Sequence, residues 1–217
     1  SNLNFLDKNN DKKIFLVTSS ISGEGKTFIA ANLAITFAKT EKKTLILGGD
    51  LRKPKLFTDF FSSNEIGLSS YLSSDIAISE IISTTEIENL DIITSGPIPP
   101  NPAELLVKDK FITLLMDLKN KYDVIIIDSP PLGLVADSLL LMDYVNATLF
   151  IVRQGFTKKG LLPYVDDLNK KGRVKNVQLV FNDVKAGSGV YGYSNYSYGY
   201  GYGYGYGYGY GYGSKTD

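Results

Sequence analysis

The chain has 217 residues, and its 23 Lys and Arg are balanced by 23 Asp and Glu, so net charge gives no general attraction to nucleic acid or to an acidic membrane surface. It has no Cys and no His, which excludes disulfides, thiolate nucleophiles, imidazole bases and Cys- or His-ligated metal centres. Any chemistry must rest on Lys, Arg, carboxylates, hydroxyls and backbone amides.

The first residues, SNLNFLDKNNDKK, carry no signal-peptide pattern. No apolar run approaches the roughly 20 residues that a membrane-spanning helix requires, so the chain is expected to be soluble and cytoplasmic. Residues 14–18 (IFLVT) form a short apolar run that predicts a strand, and residues 27–39 (TFIAANLAITFAK) place apolar side chains at helical spacing.

Between these two lies Ser20-Ile21-Ser22-Gly23-Glu24-Gly25-Lys26-Thr27. A strand, a Gly-rich loop, Gly-Lys-Thr and a helix in that order form the context of a phosphate-binding P-loop, although Ser20 stands where the first Gly of G-x-x-x-x-G-K-[ST] is usual. Gly23 and Gly25 let backbone N–H groups curl around phosphate oxygens, and the helix N-terminus adds positive potential. Lys26 can reach the β- and γ-phosphates of ATP, and Thr27 can ligate Mg²⁺. The ATP-binding set read here is Ser22, Gly23, Glu24, Gly25, Lys26, Thr27 and Phe28. The alternative is a Gly-rich turn with an incidental lysine.

The next predicted strand covers residues 44–47 (TLIL), followed by a weaker one at 90–94 (LDIIT). A Pro-rich turn at 96–102 leads into a helix over 103–121, broken near Lys108 and Asp109. Residues 124–127 (VIII) are continuously apolar and β-branched, as a strand covered on both faces should be. That strand ends in Asp128, ahead of Ser129-Pro130-Pro131, where a carboxylate can hold a Mg²⁺ water beside the P-loop hydroxyl, as a Walker B acid does, or merely cap a turn. A helix over 136–144, a strand over 148–153, a helix over 158–171 and a strand over 177–181 complete the series. Arg153, at a strand end followed by Gln-Gly, could touch nucleotide or a subunit neighbour, but reads first as a solvated strand-end arginine, and Tyr71, Tyr122, Tyr144 and Tyr164 read as structural. The alternation predicts an α/β fold with a doubly wound, mostly parallel sheet of the P-loop NTPase kind, its ligand beyond the carboxyl ends of the strands.

The chain closes on eleven tyrosines: Tyr191, Tyr193, Tyr196, Tyr198, Tyr200, Tyr202, Tyr204, Tyr206, Tyr208, Tyr210 and Tyr212, most alternating with Gly. Gly at every second position maximises backbone freedom and offers no core. Residues 1–186 are therefore expected to form one P-loop domain and residues 187–217 a disordered tail that presents its phenols. A flexible tail of about thirty residues spans on the order of 30 Å, enough to reach its own site or a neighbour's. Its other reading is a self-associating low-complexity segment.

The loop, the segment 45–54 (LILGGDLRKP), the segment 124–131 (VIIIDSPP) and the tyrosine tail together resemble the cytoplasmic kinase domain of the bacterial tyrosine kinases that control capsular and extracellular polysaccharide. The resemblance runs from Ile14 to the tail. In that family the strand after the P-loop helix ends in an acidic Walker A′ motif, often Asp-x-Asp-x-Arg; Asp50 and Arg52 match its second Asp and its Arg, whereas Gly48 stands where the first Asp is usual. The resemblance implies that Asp50, with Thr27 and Asp128, holds Mg²⁺, that Lys26, Asp50 and Asp128 are catalytic, and that Asp50 activates the phenol. The loss at Gly48 either moves the work to Asp50 or lowers activity. Asn182 stands where related P-loop ATPases contact adenine, against a plain turn residue. Residues 99–106 (PPNPAELL) resemble a family segment that can position acceptors, against a simple proline turn.

The implied activity is ATP-dependent autophosphorylation of the tail tyrosines, with Mg²⁺, regulating polysaccharide polymerisation and export. The implied partners are further copies of the chain in a ring, a transmembrane polysaccharide co-polymerase region or activator, and a tyrosine phosphatase, with no nucleic acid. The family's Glu-x-x-Arg-x-x-Arg ring motif is absent before the first strand, so the chain is expected to be the cytoplasmic domain of an inner-membrane protein, or a version deprived of that oligomer contact. Two other functions fit the residues. One is a division-site or partitioning type of ATPase switch, whose early signature lysine is replaced here by Ile21. The other is a nucleotide-holding pseudokinase whose tail is phosphorylated by another enzyme, for which Gly48 speaks.

Overall fold

The computed structural model describes residues 13–56, 63–132, 139, 141–172, 174 and 176–185. The eleven tail tyrosines lie outside them, as do residues 136–138 and 140 of the helix expected at 136–144; the described end of that stretch is a 3-10 turn, Met142–Tyr144.

Strands β1 (Lys13–Ser19), β2 (Thr44–Gly48), β3 (Ser83–Thr84), β4 (Leu90–Ile93), β5 (Val124–Asp128), β6 (Ala147–Arg153) and β7 (Val177–Asn182) form one sheet in the order β3-β4-β2-β5-β1-β6-β7. All pairings are parallel except the short β3–β4 edge. Parallel neighbours must be joined by crossovers, and helices supply them: α1 (Lys26–Ala38), α2 (Leu68–Ser73), α3 (Ile78–Ile81), α4 (Pro102–Leu106), α5 (Asp109–Lys121) and α6 (Leu162–Lys170).

Alternation along β1 sends successive side chains to two separate cores, as the pleat requires. Phe15 and Val17 pack with Ala30, Ala34 and Phe37 of α1, where the small residues let helix and sheet approach closely and the Phe15 and Phe37 rings stack at 5.8 Å. Ile14 and Leu16 face the other way, into a core shared with Phe111, Leu114 and Leu118 of α5. β5 is buried throughout, in keeping with its unbroken apolar run.

The break in the long helix is where the sequence placed it, between Leu106 and Asp109, and Pro102 opens α4 in the first turn, where its missing N–H costs nothing. The expectations left out α2, α3 and β3. At six, four and two residues these elements are too short to show a period; α2 leans on the end of β4, where Leu68 N–H donates to Thr94 O and Ser69 N–H to Ser95 O, α3 buries Ile81 in the core, and β3 pairs antiparallel with β4. Among the described residues no helix is long and apolar enough to cross a membrane.

The register decides what the sheet presents at its carboxyl end. Val17 and Gly48 both pair with Asp128, so the loop after β1, the loop after β2 and the end of β5 emerge side by side.

Candidate active site

The loop from Ser20 to Gly25 joins β1 to α1. Gly23 and Gly25 have φ of 92° and 90°, and a Cβ on Gly25 would lie 2.2 Å from Asn182 Nδ2, so only glycine is accommodated at that position. The loop closes on its own carboxylate. Glu24, 0 % exposed, accepts hydrogen bonds from Ser20 Oγ (2.7 Å), from Ile21 N–H (2.8 Å) and from Thr157 Oγ1. Ser20, which replaces the usual Gly, thus has a definite use. Three donors compensate a buried carboxylate that no cation meets in these contacts.

At the head of α1, Thr27 Oγ1 donates a 2.8 Å hydrogen bond to Asp128 Oδ2. Lys26 Nζ lies 3.9 Å from Asp50 Oδ2, both side chains being nearly buried (11 % and 9 % exposed). That separation is too long for a hydrogen bond, so Asp50 attracts the ammonium without consuming its three donors. Asp50 Oδ1 accepts from the N–H groups of Arg52 (3.2 Å) and Lys53 (2.9 Å), an Asx-type turn that fixes where the carboxylate points. The Ser129–Leu132 segment follows β1: Ser129 N–H donates to Val17 O, Leu132 N–H to Ser19 O and Thr18 Oγ1 to Pro130 O.

These elements enclose a cavity of about 240 Å³. Ser22, Gly23, Gly25, Lys26, Thr27, Phe28 and Asp50 line it, as do Arg52, Lys53, Lys55, Pro130 and Pro131. Asp128 adjoins through Thr27. Glu24 and Asn182 are not among the lining residues; the Glu24 side chain turns inward, and Asn182 Nδ2 donates to Glu24 O at 3.0 Å. Arg153 is not merely solvated: its Nη1 donates to Gly23 O at 2.9 Å and its Nε meets Asp183 Oδ2 at 3.2 Å. Lys53, Lys55 and Thr157 are site residues that the sequence reading passed over. The basic run 52–55 was a visible signal for the lysines, whereas nothing local marks Thr157, which meets Glu24 only through the fold.

The donors at this point are one hydroxyl, Thr27, and two carboxylates, Asp50 and Asp128. Such hard oxygen donors fit Mg²⁺, which is usually held by one or two carboxylates with substrate phosphates and waters. No cluster of three or more His, Cys, Asp or Glu side chains suited to a metal occurs among the described residues. At Gly48, a Cβ would lie 2.6 Å from Ser95 Oγ and 2.8 Å from Ser95 N; the end of β2 is closed to any side chain here. Of the two acids usual in the motif, only Asp50 has a place.

The family model described as an AAA domain matches residues 12–180. A putative tyrosine-protein kinase, CapB of Staphylococcus aureus, is 40% identical over 152 residues, which cover 70% of this chain and 67% of the relative. Tyrosine-protein kinase CpsD of Streptococcus agalactiae is 32% identical over 198 residues, 90% of this chain and 86% of the relative. The kinase domain of the Escherichia coli tyrosine kinase ETK superposes with a TM-score of 0.79 at 30% identity, over 89% of this chain and 76% of that domain. The septum site-determining protein MinD of Pyrococcus horikoshii, solved with Mg-ADP, shares the fold at a TM-score of 0.66 and 24% identity, over 78% and 70% of the two chains.

Proposed function

The chain belongs to the P-loop tyrosine-protein kinases of bacteria, and on that premise we propose that it transfers the γ-phosphoryl group of ATP to the tyrosines of its own C-terminal segment. The observation that carries this reading is the convergence of Lys26, Thr27 and Asp50 on one cavity, beside two glycines of positive φ and with Asp128 hydrogen-bonded to Thr27. Phosphoryl transfer is mostly positioning and electrostatic stabilisation, and a site without His or Cys can supply both.

In this reading the amides of residues 22–27 and the Lys26 ammonium hold the terminal phosphates, Phe28 flanks them, and Asn182 serves the nucleotide through the loop it touches. Thr27, Asp128 and Asp50 hold Mg²⁺, which when bound neutralises phosphate charge. The phenol oxygen of a tail tyrosine attacks the γ-phosphorus, the bond from that phosphorus to the β,γ-bridging oxygen breaks, and ADP departs with the electron pair. Asp50 accepts the phenolic proton. A phenol has a pKa near 10, so the proton leaves late, once the phosphoryl group has been largely transferred. Arg52, Lys53 and Lys55 add cationic side chains to the cavity lining, which favours an anionic substrate.

Each phosphate adds about −1.5 to −2 charges at neutral pH, so a modified tail becomes a polyanion. We propose that this repelling charge drives apart an assembly of further copies of the chain. On the same reading, a transmembrane polysaccharide co-polymerase region or activator and a tyrosine phosphatase are the other partners, at the cytoplasmic face of the membrane. Incubation with Mg·ATP followed by phosphotyrosine blotting tests the activity. Signal is expected in the parent, lost in Lys26→Met and lost in a chain ending at Gly187. Signal retained in Lys26→Met refutes the reading, and ATP hydrolysis with no phosphotyrosine favours an ATPase switch.

A further inference from the structure

Two peptide groups of the phosphate loop are held by residues that do not line the cavity. Arg153 ends β6 and Asn182 ends β7, and the two are paired in register across the sheet. Arg153 Nη1 donates to Gly23 O at 2.9 Å, and Asn182 Nδ2 donates to Glu24 O at 3.0 Å. A third tie comes from the turn after β6, where Thr157 Oγ1 donates to the buried Glu24 carboxylate and accepts from Arg153 N–H at 2.8 Å. The Phe156 ring lies against Gly23, within 3.1 Å of where a Cβ would stand.

In a trans peptide the C=O and N–H bonds point in opposite directions, and there is no cis bond among the described residues. Holding Gly23 O toward Arg153 therefore turns the Glu24 N–H the other way, and holding Glu24 O toward Asn182 does the same for the Gly25 N–H. Gly25 lines the cavity, whereas Arg153, Thr157 and Asn182 do not. Gly23 and Gly25 have no side chains of their own to choose between a peptide plane and its flipped form, and a flipped plane would offer a carbonyl oxygen to a phosphate. Repulsion would follow where attraction is required.

We propose that Arg153, Thr157 and Asn182 are positioning residues that preset the peptide planes of the phosphate loop, so that its N–H groups face the nucleotide before it arrives. This rests on the nucleotide reading above and extends it to residues on the far strands. The ligand feature they serve is the polyphosphate, not the base. Lost preorganisation lowers affinity for anything bearing the phosphates.

The test compares the full chain with Asn182→Leu, Thr157→Val and Thr157→Ser, measuring Kd for ADP and for inorganic triphosphate by calorimetry, KM and kcat for ATP, and the melting temperature. The expected result for Asn182→Leu and Thr157→Val is about tenfold weaker binding of both ligands, the magnitude of one lost hydrogen bond to a constrained group, with KM rising far more than kcat falls. Thr157→Ser, which keeps the hydroxyl, is expected to bind as the parent does. Weakening confined to ADP, with inorganic triphosphate unaffected, would assign Asn182 to the base and overturn the proposal. So would melting temperatures that fall while the folded variants bind both ligands as the parent does. If the parent itself bound neither ligand, the nucleotide reading would fail, and that result is distinct because it needs no variant.

Discussion

Thr27 Oγ1 and Asp128 Oδ2 lie 2.8 Å apart across a separation of 101 residues in sequence. The contact exists because β1 and β5 are adjacent and in register, with Val17 opposite Asp128, so the helix that follows β1 starts beside the end of β5. A hydroxyl and a carboxylate placed together at a helix N-terminus form the oxygen pair that a Mg²⁺ bound to nucleotide phosphates requires. Thr27→Ala and Asp128→Ala are each expected to lower kinase turnover by about 10²-fold or more, the scale of losing one electrostatic stabiliser of the transition state. Thr27→Ser keeps the oxygen and is expected to stay within a few-fold of the parent. EDTA should abolish phosphotyrosine formation, and excess Mg²⁺ should restore it; steady-state rates against Mg²⁺ concentration check all three.

Asp50 does two things with two oxygens. Oδ1 ties the Arg52 and Lys53 amides, and Oδ2 faces Lys26. Asp50→Asn keeps an acceptor for the turn and removes the proposed base. Its melting temperature is expected to stay close to the parent's while turnover falls about 10²- to 10⁴-fold, the usual contribution of a general base. Asp50→Ala, which also frees the turn, should lose both. Calorimetry and single-turnover assays separate the two effects.

Restoring the family's acid at position 48 is expected to harm the protein. A Cβ there would lie 2.8 Å from the Ser95 backbone N, which cannot swing aside, and 2.6 Å from Ser95 Oγ. Overpacking of this kind costs about 1–3 kcal/mol, and Gly48→Asp should therefore melt roughly 2–12 °C lower, at about 2–4 °C per kcal/mol for a domain of this size. Kinase turnover should not rise. Adding Ser95→Gly should give only partial recovery, because the backbone contact remains.

Tyr122 gives an alkaline signature. Its ring is buried, its hydroxyl donates to Asp91 Oδ2 at 2.7 Å, and its pKa is raised above the ordinary value near 10 by that burial and then by Asp91. The unfolded chain ionises this phenol first, so the stabilisation is fully present below about pH 10 and is lost as pH climbs from there toward the folded pKa. Denaturation midpoints measured between pH 9 and pH 12 should fall less steeply in Tyr122→Phe than in the parent.

The strands, the helices over 26–38 and 102–121 with the break near Lys108, the phosphate loop and the acid at the end of β5 were legible in the chain, because each is a local pattern: a β-branched run, a helical period, or a glycine and lysine at fixed spacing. The short elements between 67 and 84 were not, since they are held by tertiary contacts, with β4 for the first helix and for β3 and with the core for Ile81, and not by any period of their own. Lys53 and Lys55 stood in a visible basic run, but which cavity they would line depended on the Asp50 turn.

Local chemistry, then, was written in the residue order: what Lys26 and Thr27 can bind, and that a carboxylate would end β5, follow from side-chain types and their neighbours. Contact across the sheet was settled by pairing and register. The meeting of Thr27 with Asp128, the closing of position 48 by Ser95, and the hold of Arg153 and Asn182 on the loop each join residues far apart in sequence, and a distance of that kind carries no periodicity from which it could be read.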